Sequence, residues 1–507
     1  PGRRFMNESF GRIRAIASAE VQFRFRRTAG IVTWLVVAAL VYLIIPDFHV
    51  GWALMRIKGM RVLYNSSAVA LGTGVFCATF TGLLGYYLVS NSLRRDIVSR
   101  TGAIIAATPV SNAQCIIGRF IGNTVYLAMV PLACMMSTMV MFLFRGEGPL
   151  EPLVFLEIYL WLMVPVVAFC SAAALAFESL PVLSGRFGDL LYFLVWTAML
   201  GWPAAMANEI GKPSWASTMD VIGLGVVVQE LQARFHTVEM TIGGASIDPT
   251  GPTLLFPGID WTWRLVLERT STLALPLVVL GLATLWFHRF DPARVKYSTW
   301  TRRRNPIARL NAMLKSIAGL NVISKPVTRL FGQISHPGKA KPTVANAIRA
   351  DIAATFALSP LTGIAIVSSG ILCLVEGAEV VQHAILPAIF AVLVAALADI
   401  TVRDSSAGMT TLLFTAPKLK ANYVLWKFFS VLAVALMFTL IPAIRLMGET
   451  PEAAVSLLIG SFFAAAAAVA FGIFTRSPKL FVGFLLMLLY ISLNANKVAV
   501  LDSQWYC

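Results

Sequence analysis

The chain has 507 residues, of which 58% are hydrophobic and only 13% are charged, and its formal net charge is +16. Soluble domains are nearer half apolar and a quarter charged, so this composition excludes an ordinary soluble protein. In a soluble chain the positive charge would suggest nucleic-acid binding. In a membrane protein it is typical of cytoplasmic loops, and we expect no nucleic-acid partner.

The first 29 residues have the pattern of an amphipathic helix. The apolar side chains Phe10, Ile13, Ala17, Val21 and Phe25 are spaced three or four residues apart, and arginines occupy the other faces. A helix with one apolar and one basic face is stable in the plane of the membrane interface. We therefore predict an N-terminal interfacial helix over residues 1–29, in contact with membrane lipids.

Apolar runs then follow along the chain, each of roughly 18–25 residues, the length that crosses a bilayer core of about 30 Å. They lie at about 30–46, 68–90, 119–144, 152–177, 189–207, 270–287, 359–377, 383–401, 422–446, 453–474 and 478–495. The sequence predicts an all-α polytopic membrane protein with about eleven transmembrane helices, one for each run.

The charges of the loops predict the orientation and the domain boundaries. Basic residues exceed acidic ones before residue 30, in 94–119 and in 291–351, which should therefore be cytoplasmic. The loop 208–263 is acidic and should be external. We expect a first transmembrane half at 30–290, a basic, proline-containing linker at 291–351 and a second half at 352–507. An odd number of crossings places the C-terminal end outside.

Two loops of the chain align without gaps, 95–120 with 403–428. The identical pairs are Arg95 and Arg403, Asp96 and Asp404, Pro109 and Pro417, Ala113 and Ala421, and Phe120 and Phe428, and Arg119 aligns with Lys427. Glu20 and Asp351 occupy similar places in the segments before each half. The pattern predicts two repeated halves, although basic, proline-containing loops of unrelated origin would look much alike.

The repeat implies an asymmetry. The first half has six predicted crossings and the second has five, so a twelfth is expected. Either this sequence stops before that crossing or the protein departs from the pattern.

The first of these loops resembles the permease subunits of ABC-2 type ATP-driven exporters. The residues that carry the resemblance are Arg94-Arg95-Asp96, Thr101-Gly102, Ala107-Thr108-Pro109-Val110-Ser111 and Gly118-Arg119, with a weaker copy at Arg403-Asp404, Gly408, Thr415-Ala416-Pro417-Lys418 and Trp426-Lys427. The order of an interfacial helix, two crossings, this loop and three further crossings is also similar to that family.

The resemblance implies a function. The two loops, through Arg95, Asp96, Thr108, Pro109 and Arg119 and through Arg403, Asp404, Pro417 and Lys427, would couple to ABC ATPase subunits, in two copies, with Glu20 and Asp351 contacting the same partner. The Arg-Asp pairs would either orient the loop or bind the ATPase. The alternative for each charge is a solvated loop or a lipid phosphate contact.

No catalytic or cofactor site is predicted in this chain. It contains no G-x-x-x-x-G-K-[ST] phosphate-binding loop, so ATP and Mg²⁺ would be held by the partner ATPase. Its histidines lack metal-ligand spacing. Among charges within crossings, Glu157, Asp189 and Asp399 are candidates for a transport pathway, Glu157 being nearest the outer face. Each is also explained by interfacial anchoring.

The sequence therefore predicts a non-enzymatic exporter permease in a bacterial plasma membrane, with its N-terminus in the cytoplasm. Further membrane subunits are compatible with this prediction. The alternative is a secondary transporter or channel that works without an ATPase; the lack of ionisable residues at mid-membrane positions disfavours the coupled transporter. The substrate is not predicted.

Overall fold

The computed structural model describes residues 2–25, 29–47, 51–99, 101–180, 185–206, 218–237, 239–287, 343–377, 380–409, 420–475 and 477–494, together with isolated residues between them. The chain divides into two units, Pro1–Thr301 and Arg302–Cys507. The boundary between them falls within the predicted linker 291–351, of which residues 291–309 and 314–342 lie outside the described part of the chain, as do Pro417 and residues 495–507.

The first unit consists of helices and a small sheet. Its elements are α1 (Gly2–Phe25), α2 (Ala29–Ile44), β1 (Trp52–Ile57), β2 (Met60–Val62), α3 (Ser66–Val89), α4 (Ser92–Val98), α5 (Thr101–Ala107), α6 (Asn112–Arg145), α7 (Pro152–Ser179), α8 (Arg186–Met206), α9 (Leu224–Phe235), β3 (Met240–Ser246), β4 (Thr253–Leu254), α10 (Trp263–Ser271) and α11 (Ala274–Trp286).

The second unit is helical throughout its described residues. Its helices are α12 (Val344–Leu358), α13 (Pro360–Val375), α14 (Leu386–Ser406), α15 (Tyr423–Met447), α16 (Pro451–Thr475) and α17 (Lys479–Asn494), and a short π-helical turn, Val381–Ile385, precedes α14. Gly472 of α16 allows a close approach to α14, because a Cβ there would lie 2.5 Å from the hydroxyl oxygen of Thr401.

A helix covers each apolar run that the sequence predicts, and the described chain has the character of a helical polytopic membrane protein. Seven helices in the described ranges are long and apolar enough to cross a bilayer, and α12 with α13, which meet at 91°, would make an eighth as one span. The apolar helices Phe187–Gly201 and Lys479–Ser492 are shorter, as is α2.

Local sequence signals set the helix ends near the loops. Ser111 and Gln114 form a capping box at the start of α6, in which each side chain accepts a hydrogen bond from the other residue's backbone N–H. The side chains of Asn65 and Thr343 cap α3 and α12 in the same position. These caps fix where α6 and α12 begin, about two turns before Arg119 and Asp351.

The central helix of the first unit is α3, which packs against α6 and α7. In α3, 78% of the most apolar stretch is buried inside the protein, compared with 28% in the stretch formed by α10 and α11. A hydrogen-bonded group joins the three helices about two turns from the ends that lie next to the sheet. The hydroxyl of Tyr159 donates to Thr73 over 3.0 Å and lies 3.3 Å from the hydroxyl of Thr138 and 3.5 Å from the thiol of Cys134.

This hydrogen-bonded group leads to a prediction for Tyr159→Phe. The change keeps the ring and removes the hydroxyl, so Thr73 and Thr138 each lose a partner between α3, α6 and α7. Interhelical hydrogen bonds in membranes contribute about 1 kcal/mol, and we expect that loss in the free energy of unfolding in detergent. Tyr42→Phe, at a side chain that is 56% exposed, should leave the unfolding curve unchanged. A Tyr159→Phe variant as stable as the wild type would show that these hydrogen bonds do not stabilise the fold.

The segment between α2 and α3 and the segment between α9 and α10 form a four-stranded sheet with the order β3-β1-β2-β4, which the sequence analysis did not predict. β1 and β2 are an antiparallel hairpin, and Lys58 and Gly59 supply the positive φ angles, 53° and 75°, of its turn. β3 pairs antiparallel with β1, and β4 pairs parallel with β2. The loop 208–263, which contains β3 and β4, also contains α9.

Arg61, on β2, forms an ion pair beside this sheet. Both terminal nitrogens of Arg61 donate to the carboxylate of Glu147, over 2.7 and 2.9 Å, and the backbone N–H of Tyr64 donates to the same carboxylate. Arg61 is therefore a structural residue that fastens β2 to the chain segment between α6 and α7.

Candidate functional site: two buried charge clusters

Five charged residues of the first unit meet at the end of α3 away from the sheet. We call them the first cluster: Glu20 and Arg24 on α1, Arg95 and Asp96 on α4, and Arg119 on α6. Glu20 pairs with Arg95 at 2.7 Å and with Arg24 at 2.9 Å, and Arg119 lies 3.8 Å from it. Arg119 also pairs with Asp96. The helices α1, α4 and α6 are thus joined by ion pairs.

Four charged residues form the second cluster, in the second unit: Asp351 on α12, Arg403 and Asp404 on α14, and Lys427 on α15. The ammonium of Lys427 lies 2.8 Å from Asp351 and 2.7 Å from Asp404. Arg403 lies 3.8 Å from the carboxylate of Asp351 and donates to that residue's backbone carbonyl over 3.2 Å. The aligned positions of the two loops therefore hold corresponding ion pairs.

The central members of both clusters are buried. Glu20 and Arg119 are 4% exposed and Lys427 is 1% exposed. Removing charges from water costs several kcal/mol per ion unless each is paired and hydrogen-bonded. The carboxylates and cations of each cluster must therefore be kept together for the fold to be stable.

Two glycines of α6 bring Glu20 into place. A Cβ at Gly118 would lie 2.8 Å from the Cβ of Ile16, and one at Gly122 would lie 2.8 Å from the Cβ of Glu20 and 3.0 Å from the carbonyl oxygen of Ala17. The pair is a G-x-x-x-G motif, which lets two helix backbones approach closely. We call the surface formed by Gly118 and Gly122 the glycine groove.

The electrostatics of the first cluster favour an ionised Glu20. Burial alone would raise the pKa of Glu20, but Arg24, Arg95 and Arg119 together outweigh this effect and hold that pKa below its ordinary value of 4.5. Because the pKa is depressed in the folded protein, the stabilisation is present above pH 4.5 and is lost as the pH falls through the folded-state value.

Limited proteolysis at a series of pH values tests this direction of the pH dependence. We expect the attachment of α1 to be unchanged from pH 7 to about pH 5 and to weaken at lower pH, as measured by limited proteolysis after α1. Glu20→Gln should flatten the dependence, whereas Glu8→Gln, at an exposed position of the same helix, should retain it. Weakening that begins above pH 5 would contradict the depressed pKa of Glu20.

The predicted loop residues Thr108 and Pro109 lie in the hairpin between α5 and α6. The Thr108 hydroxyl donates to the carbonyl of Ile105 over 2.7 Å, and Arg12 of α1 donates to the carbonyl of Pro109 over 2.7 Å. Ile104, on α5, is 69% exposed. In the second unit Pro417 lies outside the described residues, and the nearby Phe414 is 43% exposed.

The sequence analysis missed two residues that hold this loop. Glu178, at the end of α7, accepts hydrogen bonds from the backbone N–H groups of Asn91 and Leu93 and so caps α4. Arg24 donates to the last carbonyls of α3. No pattern marks Glu178, because its partners lie more than 80 positions earlier in the chain.

The candidate pathway residues lie on three different helices. Glu157 is exposed on α7 and forms no ion pair within the described part of the chain. Asp189 is 5% exposed, and its backbone carbonyl accepts a hydrogen bond from Tyr87 over 2.7 Å. Asp399 is half-buried on α14. Glu157 and Asp189 belong to the first unit and Asp399 to the second, whereas the residues of each cluster meet within one unit.

Comparison with protein-family models, curated proteins and solved structures finds no match to this chain. Within the described residues no group of three or more His, Cys, Asp or Glu side chains is placed to hold a metal ion. The described cysteines are free thiols, and all are buried. The two clusters and the loops that they hold are therefore the candidate functional site.

Proposed function

We propose that this chain is the membrane-spanning subunit of an ATP-driven exporter similar to the ABC-2 type, working with two copies of a separate ATPase. The observation that carries the proposal is the correspondence of the two clusters. In each unit an acid on the helix before the first apolar run meets an Arg-Asp pair and a cation on the helix that follows the loop. Two related halves, each with a coupling loop, would have this arrangement.

The proposal assigns the cluster acids a positioning role. Asp96 and Asp404 are paired inside the protein with Arg119 and Lys427, so their carboxylates orient the loop and are already engaged there. The surface that would meet the ATPase is then the exposed apolar tip, Ile104 in the first unit and Phe414 in the second. Of the two roles that the resemblance implies for the Arg-Asp pairs, orientation of the loop is the better supported.

The same pairs supply a mechanical connection. Closing of the ATPases would displace the loops, and each loop is bonded to an interfacial helix and to the ends of long spans. A rigid, ion-paired junction would pass that displacement to the far ends of the helices. In this proposal eleven helices cross a bacterial plasma membrane, the clusters face the cytoplasm and the sheet faces outside.

The double variant Asp96→Asn, Asp404→Asn tests the proposal. Each amide keeps the size of the carboxylate and removes its charge, so the loops should lose their fixed orientation. In the reconstituted complex with its ATPases, we expect ATP hydrolysis to continue and transport to fall at least tenfold. Glu151→Gln, at an exposed carboxylate before α7, is the matched control. Unchanged transport per ATP hydrolysed would remove the coupling role of the loops.

A further inference from the structure

The two clusters differ in their number of charges, because Arg24 has no charged counterpart in the second unit. Four residues separate Arg24 from Glu20 on α1, and Thr355 follows Asp351 by the same spacing on α12. Thr355 contributes only a hydroxyl, which accepts a hydrogen bond from Arg403 over 2.9 Å. The first cluster therefore has a third cation at a place where the second has an uncharged side chain.

The guanidinium of Arg24 joins α1 to two long helices. It donates to the backbone carbonyls of Leu88 and Val89 at the end of α3, over 2.9 and 2.7 Å, and to the side-chain oxygen of Asn123 on α6 over 2.9 Å. The last carbonyls of a helix have no partner within the helix and carry partial negative charge, so a cation stabilises them. Val431 aligns with Asn123 in the second unit and could not accept such a bond.

The helix that packs against α1 also differs from the one that packs against α12, and this difference too favours a tighter attachment of α1. The glycine groove, Gly118 and Gly122, lets α1 approach the backbone of α6. The aligned residues of α15 are Trp426 and Ser430, both of which carry side chains where α6 has none. Fewer bonds and a bulkier helix surface should both weaken the attachment of α12 relative to that of α1.

From these differences we infer that the two halves are mechanically unequal, with Arg24 as the positioning residue that makes α1, α3 and α6 one rigid body. The second interfacial helix, α12, is the yielding one. The inference rests on the proposed pairing of the halves. In the exporter, displacement of the first loop would move α3 directly, while displacement of the second would first be absorbed between α12 and α15.

Hydrogen exchange of the purified chain in lipid nanodiscs, without any ATPase, tests the inference. Backbone amides of α1 between residues 13 and 25 should exchange at least tenfold more slowly than those of α12. Arg24→Gln should speed exchange in α1 about tenfold and leave α12 unchanged. Arg24→Lys keeps the charge but cannot bridge four acceptors at once, so its exchange rate in α1 should lie between those of the wild type and Arg24→Gln.

The control is Arg14→Gln, at an exposed arginine of the same helix, which should exchange like the wild type. Equal protection of α1 and α12 in the wild type would overturn the inference, as would an Arg24→Gln variant with unchanged exchange in α1. Because no ATPase is present, either result would leave the exporter proposal to its own test, and loss of ATP-driven transport would leave the exchange result standing.

Discussion

Replacing Lys427 with methionine should lower the free energy of unfolding of the second unit by about 3–5 kcal/mol, since it leaves buried carboxylates without their shared cation. Lys427 is 1% exposed and lies within 2.8 Å of both Asp351 and Asp404. Methionine fills nearly the same volume, so the loss is one of charge pairing rather than of packing. Chemical or thermal unfolding of the purified chain in detergent measures it.

A second substitution separates charge from shape in that experiment. The double variant Lys427→Met, Asp404→Asn removes one of the two acids, and Arg403 remains 3.8 Å from the other, Asp351. It should therefore recover a large part of the lost stability. Arg119→Met should cost less than Lys427→Met, because Arg24 and Arg95 still pair with Glu20. A Lys427→Met variant no less stable than the wild type would contradict the ion-pair assignment.

The substitution Gly122→Val should displace α1 from α6 in the first unit. Its Cβ would lie 2.8 Å from the Cβ of Glu20 and 3.0 Å from the carbonyl oxygen of Ala17, and neither can move without displacing α1. Overpacking of this kind costs about 1–3 kcal/mol, and lifting α1 adds the loss of the Glu20 ion pairs. Protease sensitivity after α1 and the unfolding midpoint should both report the change.

Gly460→Val is the matched control for the groove. Gly460 also lies within a long apolar helix, but nothing lies within 4 Å of the place where its Cβ would be. The variant should therefore behave like the wild type in both measurements. If Gly122→Val proved as resistant to protease as Gly460→Val, the close packing of α1 on α6 would be wrong.

The sequence was most informative about features of the structure that depend on local patterns. Apolar runs predicted the helices, and the alignment of Arg95, Asp96 and Arg119 with Arg403, Asp404 and Lys427 predicted which residues to compare. The alignment could not show that these charges pair with each other, since Glu20 is 75 positions from Arg95. Burial and pairing are properties of the folded chain. They show that the charges of these loops form an internal junction between helices and not an exposed surface.

Features built from distant segments were not predictable in the same way. The sheet joins strands such as β1 and β3, whose paired residues Arg56 and Thr241 lie far apart in the chain. Its strands are short, and β4 contains only two residues, so alternation could not be recognised. Arg24 was visible only as a basic residue before the first apolar run. Its four partners became apparent because the last turns of α1 and α3 meet beside Asn123 of α6.

The exporter proposal is tested most directly by ATP hydrolysis that co-purifies with the affinity-tagged chain. The account predicts vanadate-sensitive hydrolysis with the wild-type chain, and its loss when Ile104 and Phe414 are both changed to aspartate, because a charge at each exposed tip would prevent docking of the ATPases. A chain that purifies without any ATPase, and that nevertheless transports a dye such as rhodamine 123 across ATP-free liposomes, would contradict it.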